Sequence, residues 1–185
     1  MVTEKTCPKT SQRALLVVDM LNDFLDPQGA LYLGEAAREI IPVVQGIVAT
    51  AREDNNLIVF IRDWHRPDDA EFAMFPPHGV ADTWGSQFIP ELEPQASDRV
   101  IEKRRYSAFY GTELDLTLRE AGIEELHLVG VCTNICILYS AASARNRNYR
   151  VIVHDQAMAG TTRDAHEWAL NEMKNTLGCE RMSMQ

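Results

Sequence analysis

Short, continuously apolar runs alternate along this chain with longer amphipathic segments. The runs fall at residues 14–18, 57–61, 100–101, 126–131 and 151–153. Several are unbroken, as expected of strands buried on both faces. Between them the pattern predicts helices over about 35–54, 112–121, 135–148 and 163–177. Pro42 predicts that the first helix begins or bends there. Thr112 with Asp115, and Thr161 with Asp164, have the spacing of helix caps, and Gly122 stands where a helix would stop. Strand–helix alternation implies an α/β fold with a mostly parallel sheet and right-handed crossovers. Ligands of such folds bind beyond the carboxyl ends of the strands, so the residues after each run are the ones to inspect. From 63 to about 98 the rhythm breaks, punctuated by Pro67, Pro76, Pro77, Pro90 and Pro94. Loops of that length inside a domain are usually functional.

The chain is 185 residues long, which predicts a single domain spanning 1–185. Its formal net charge of −9 repels phosphate backbones, so no nucleic-acid partner is expected. No run approaches a membrane span, and the segment at 14–18 is too short for a signal-peptide core, so a cytoplasmic protein without a membrane partner is expected. Cys7, Cys132, Cys136 and Cys179 are few and scattered, which suits reduced thiols. Cys7 and Cys179, near the termini, are expected to have no role.

Asp19 follows the first run, Asp63 and His65 the second, Lys103 the third, and Cys132 and Cys136 the fourth. Singly, each has an ordinary explanation: a turn residue, a solvated charge run in Lys103-Arg104-Arg105, a core thiol. Their placement at successive strand ends points to one site. A cysteine early in a helix and near a lysine has its thiolate stabilised. A nearby carboxylate can take the thiol proton and return it to a leaving group. Cys132 and Cys136 are four apart, one residue too far for a dithiol redox motif and too few for a zinc knuckle. Cys136 is therefore the expected nucleophile.

In the long insertion, Asp63 and His65 point to one side of an extended segment, with Glu71 and His78 beyond. Two imidazoles and two carboxylates suit a divalent transition metal such as zinc, manganese or iron. Asp68 and Asp69 are alternative ligands. Phe24, Trp64, Phe72 and Phe75 could sandwich a flat ring, although packing of the loop on the sheet explains Trp64 as well. His127, His154 and His166 have no partner pattern.

Three blocks in order resemble the isochorismatase-like cysteine hydrolases: 15–24 (LLVVDMLNDF), 103–109 (KRRYSAF) and 130–136 (GVCTNIC). The resemblance covers 14 to about 177. It implies a three-layer α/β/α fold around a mostly parallel sheet, and a triad of Asp19, Lys103 and Cys136. It places a non-proline cis peptide at Val131–Cys132, aiming the N–H groups of Cys132 and Cys136 at a developing oxyanion. Within the family the metal segment is similar to that of nicotinamidases. Asp63, His65 and His78 match their Asp-x-His and Pro-Pro-His elements, Glu71 holds the place of a further ligand, and Phe24 and Phe75 resemble the ring-holding aromatic pair. Leu21 departs from the pattern, standing where glutamine is common.

The resemblance implies hydrolysis of nicotinamide to nicotinate and ammonia through a thioester. It further implies one divalent metal, zinc ahead of manganese or iron, a small-molecule amide substrate and a homo-oligomer. Alternatives are another amidase or carbamoyl hydrolase of the same family, or a catalytically silent binding module. Isochorismatase itself lacks the catalytic cysteine in its usual form, and Cys136 argues against it.

Overall fold

A computed structural model describes residues 12–183. Its sheet has six strands, all parallel: β1 (Arg13–Val18), β2 (Leu57–Asp63), β3 (Arg99–Lys103), β4 (Glu125–Val131), β5 (Arg150–Ala159) and β6 (Glu180–Met182). The spatial order is β3-β2-β1-β4-β5-β6. The chain runs outward from β1 through β2 and β3, then returns to lay β4 on the other side of β1. That reversal between β1 and β4 is the switch point at which α/β sheets open a crevice.

The helices are α1 (Asn22–Leu25), α2 (Glu35–Arg38), α3 (Ile41–Glu53), α4 (Leu114–Glu120), α5 (Leu138–Arg145) and α6 (Arg163–Asn175). Strand side chains alternate between two cores, as the two-residue period requires. Ala14, Leu16 and Val18 pack with α4, α5 and α6, whereas Leu15 and Val17 pack with α1, α2 and α3. The expected three layers are therefore present. Pro42 lies in the first turn of α3, where a missing N–H donor costs nothing. The helix predicted over 35–54 is accordingly two, α2 and α3.

Several boundaries differ from the sequence expectation. β5 runs on to Ala159 through a register shift, with Leu128 opposite Val153 but Gly130 opposite Met158. Polar Asp155 and Gln156 fall in that irregular stretch, so the apolar run stops before the strand does. β6, Glu-Arg-Met on the sheet edge, has no apolar pattern to announce it. α6 is capped by Thr162, whose hydroxyl accepts from Ala165 N–H at 3.1 Å, and not by Thr161. α4 starts at Leu114 with Glu113 at its cap; Thr112 supports it through a longer bond from Leu114 N–H, 3.3 Å. Among the described residues no helix is long and apolar enough to cross a membrane. Cys179 is buried in the core, and Cys7 lies outside the described residues.

Candidate active site and metal centre

Four adjacent strands deliver the candidate chemistry to one sheet edge. Lys103 ends β3 and is in register with Asp63, which ends β2; Asp19 follows β1; Cys132 follows β4. Asp19 has φ +52°, in the left-handed region a non-glycine residue adopts at some energetic cost. Gly130, one strand over, has φ +113°, and a Cβ there would lie 2.1 Å from the Val18 carbonyl oxygen. Only glycine lets β4 approach β1 at the point where both turn into the site. The Val131–Cys132 peptide bond is cis. A single π-helical turn, Thr133–Ile137, follows and carries Cys136 ahead of α5. The residue was expected in the first turn of an ordinary helix.

Lys103 Nζ is the hub. It lies 2.8 Å from Asp19 Oδ2 and 2.5 Å from Asp63 Oδ1, and donates to Cys136 Sγ at 3.4 Å. All four groups are buried. Burial alone would strip the lysine of its proton, but Asp19 and Asp63 outweigh it and hold its pKa well above the ordinary value. Burial also raises the Asp19 carboxyl to about 7, helped by repulsion from Asp63 and opposed by Lys103. Asp63 is desolvated too, yet Lys103 and His65 bring it down to about 2. The Cys136 thiol is pushed well above its usual value by burial, with Lys103 pulling the other way. This corrects the expectation of a stabilised thiolate. The thiol is neutral at rest, and a carboxylate poised near neutrality stands ready to take its proton.

Asp63 turns its other side to the second cluster. His65 Nε2 is 3.5 Å from Asp63 Oδ1, and His78 Nε2 is 3.9 Å from Asp63 Oδ2. One ligand atom from each of the three lies within 4.8 Å of the others. Two atoms each about 2.1 Å from a zinc ion sit roughly 3–3.5 Å apart, so modest contraction would close the set. Both rings are braced from behind: His65 Nδ1 meets Asp69 Oδ2 at 3.2 Å, and His78 Nδ1 meets the Pro76 carbonyl at 2.8 Å. The Nε2 atoms are thereby turned toward Asp63. His65 Nε2 is buried without a hydrogen bond, the condition of an imidazole awaiting a cation. The donor set fits a divalent transition metal.

Glu71 lies beside this trio, next to His78. Its Oε1 is 3.8 Å from His78 Nε2, and burial raises its pKa. Asp69 is not among the trio but braces it, and also accepts from Arg105 at 3.0 Å. Asp68 is exposed and pairs with Arg66.

A narrow cavity of about 80 Å³ opens between the two clusters. Cys132 and Cys136 line one side, and Asp63, Glu71 and His78 another. Phe24 and Phe75 both line it, with ring centroids 5.7 and 6.0 Å from that of His78. Trp64 does not line it; its ring carries the Arg62 guanidinium at 3.7 Å. Sequence reasoning missed Leu31, Leu33, Tyr106, Ile135 and Thr161 in the wall. It also missed that Asp63 joins the two clusters. The available signal was that Asp63 both ends the second apolar run, as the triad candidates end theirs, and opens Asp63-Trp64-His65. Of the remaining histidines, His127 bonds His154 and Glu125, and His166 bonds Thr133.

A parallel sheet opening at its β1/β4 switch point, with a thiol on the cavity wall and a buried lysine and acid directly behind it, defines a hydrolase-like crevice. Residues 13–184 match the isochorismatase domain model, and the chain belongs to the isochorismatase family. It is similar to nicotinamidase PncA from Bacillus subtilis, at 38% identity over 92% of this chain and 99% of that one, with a TM-score of 0.88. The pyrazinamidase of Pyrococcus horikoshii, solved in complex with zinc, is 32% identical with a TM-score of 0.88, covering 94% and 100% of the two chains. N-carbamoylsarcosine amidase from Thermoplasma acidophilum is 34% identical with a TM-score of 0.86, covering 94% and 96%.

Proposed function

We propose that this protein is a cysteine amidohydrolase that converts nicotinamide to nicotinate and ammonia through a thioester. The observation that carries the reading is that Cys136, on the wall of the cavity that Asp63 and His78 also line, meets Lys103, which in turn pairs with Asp19. Asp63, His65 and His78 would hold a divalent metal, zinc ahead of manganese or iron, with Glu71 beside them. When bound, it supplies a Lewis-acid anchor for a ring nitrogen.

Phe24 and Phe75 hold a flat ring between them. Asp19 takes the Cys136 proton as the sulfur attacks the carboxamide carbon. The N–H groups of Cys132 and Cys136 receive the resulting oxyanion. As the C–N bond breaks, Asp19 returns its proton to the departing ammonia, leaving the acyl group on sulfur. Asp19 then takes a proton from a water molecule that attacks the thioester and passes it to the departing Cys136 sulfur, which leaves as the free thiol while the carboxylic acid gives its own proton to solvent. Lys103 stays cationic throughout and fixes the orientation of Asp19.

Among the described residues that line the cavity there is no arginine or lysine. Phe24, Leu31, Leu33, Phe75 and Ile135 make much of the wall apolar, which suits a flat aromatic amide. The test is a purified-protein assay with bound metal quantified in the same sample. Equimolar ammonia and nicotinate from nicotinamide, lost on chelation and restored by zinc, are expected. Turnover of carbamoyl amino acids with none of nicotinamide would overturn the substrate assignment. A thiol that alkylates like free cysteine, with no turnover of any amide, would indicate a silent binding module.

A further inference from the structure

We propose that Asp23 is a positioning residue for the metal centre and for the cavity wall beside it. The inference rests on reading Asp63, His65 and His78 as that centre.

Asp23 lies in α1, four residues after Asp19, and is buried. Its carboxylate divides between two loops. Oδ2 accepts from Gly79 N–H at 2.8 Å, and Oδ1 accepts from Ala30 N–H at 3.0 Å. Among the described ion pairs none involves Asp23, so backbone N–H groups are what offset its charge. Hydrogen bonds to an ionised acceptor are about twice as strong as neutral ones.

Gly79 is the residue through which both histidines are tied. It follows His78 directly, and its carbonyl accepts from His65 N–H at 2.8 Å. Ala81 N–H in turn donates to the His65 carbonyl at 2.9 Å. A shift of the Gly79 peptide therefore moves the backbone of both imidazoles. On the other side, the Asp23 carbonyl accepts from Leu31 N–H at 3.0 Å, and Leu31 lines the cavity. A third segment locks the carboxylate in place: a Cβ on Gly85 would lie 2.1 Å from Oδ2 and 2.4 Å from Oδ1. One buried anion thus sets the metal-binding loop against the cavity wall.

The experiment measures zinc affinity by equilibrium competition with a chromogenic chelator, alongside thermal unfolding of the zinc-free protein. Asp23→Asn keeps the shape but presents an amide N–H₂ to one of the two N–H donors. It is expected to weaken zinc binding about 10–100-fold, the range for residues that support metal ligands from behind. Leu118→Ala, in the core on the opposite sheet face, is expected to lose stability with unchanged zinc affinity. Gly85→Ala displaces the carboxylate without removing it, and is expected to weaken zinc at least about tenfold; it decides the matter should Asp23→Asn not fold. Zinc affinity equal to wild type in a destabilised Asp23→Asn protein would overturn the inference and leave the metal reading intact. A wild-type protein that binds no zinc would overturn both.

Discussion

Lys103→Met exposes the electrostatic logic of the site most sharply. The substitution keeps a long unbranched chain and removes the ammonium that faces Asp19 at 2.8 Å, Asp63 at 2.5 Å and Cys136 at 3.4 Å. Leaving a buried charge without its partner costs about 3–5 kcal/mol. At roughly 2–4 °C per kcal/mol for a chain of this size, the melting temperature should fall by about 6–20 °C at pH 8. The direction with pH follows from the carboxylates. Burial and Asp63 already raise Asp19 to about 7 with the lysine present. Without it both acids go higher, and a carboxyl whose folded pKa is raised is penalised only where it must ionise. The penalty is therefore absent below about pH 4 and grows as pH rises through the folded values. Thermal unfolding of the metal-free wild type and variant from pH 4 to pH 8 reads this directly. Turnover at pH 7 should drop about 10²–10⁴-fold, because Asp19 would hold a proton when it should accept one. A melting-temperature gap under about 2 °C at pH 8, or one that does not widen with pH, would refute the argument.

Three further outcomes are expected. With zinc saturating, kcat/KM should rise with pH and then level off as Asp19 loses its proton, at a pH above the ordinary carboxylate range because Asp19 is buried; initial rates from pH 5 to 9 check this. A profile flat from pH 5 would contradict the assignment of Asp19 as base. Asp69→Ala should weaken zinc about 10–100-fold by chelator competition, since it removes the acceptor behind His65 Nδ1; unchanged affinity would deny Asp69 that role. Phe24→Ala should raise KM for nicotinamide more than it lowers kcat, because it removes a ring-holding face; steady-state kinetics would reveal the reverse if Phe24 acts on the chemistry.

The sheet was legible in the sequence because each of its inner strands is a run of apolar residues. The strand ends then named Asp19, Asp63, Lys103 and Cys136 without reference to distance. What stayed hidden has physical reasons. β6 is a polar edge strand, and the far half of β5 passes through a register shift, so neither carries the pattern of a buried strand. Asp69 has the composition of a ligand and the position of a brace; only the direction of the His65 ring separates the two. Leu31, Leu33 and Tyr106 reach the cavity from loops whose paths no periodicity encodes. The state of the thiol was misjudged because local sequence shows the neighbouring lysine but not the burial that opposes it.

The reading stands or falls on where the acyl group is carried. Wild-type protein mixed with nicotinamide, quenched in acid within the turnover time and digested, should yield a nicotinoyl thioester on the peptide bearing Cys136. Hydroxylamine should release it, and Cys136→Ala should show neither adduct nor ammonia. Ammonia formed by the Cys136→Ala protein, or an acyl group found on Cys132 instead, would contradict the mechanism.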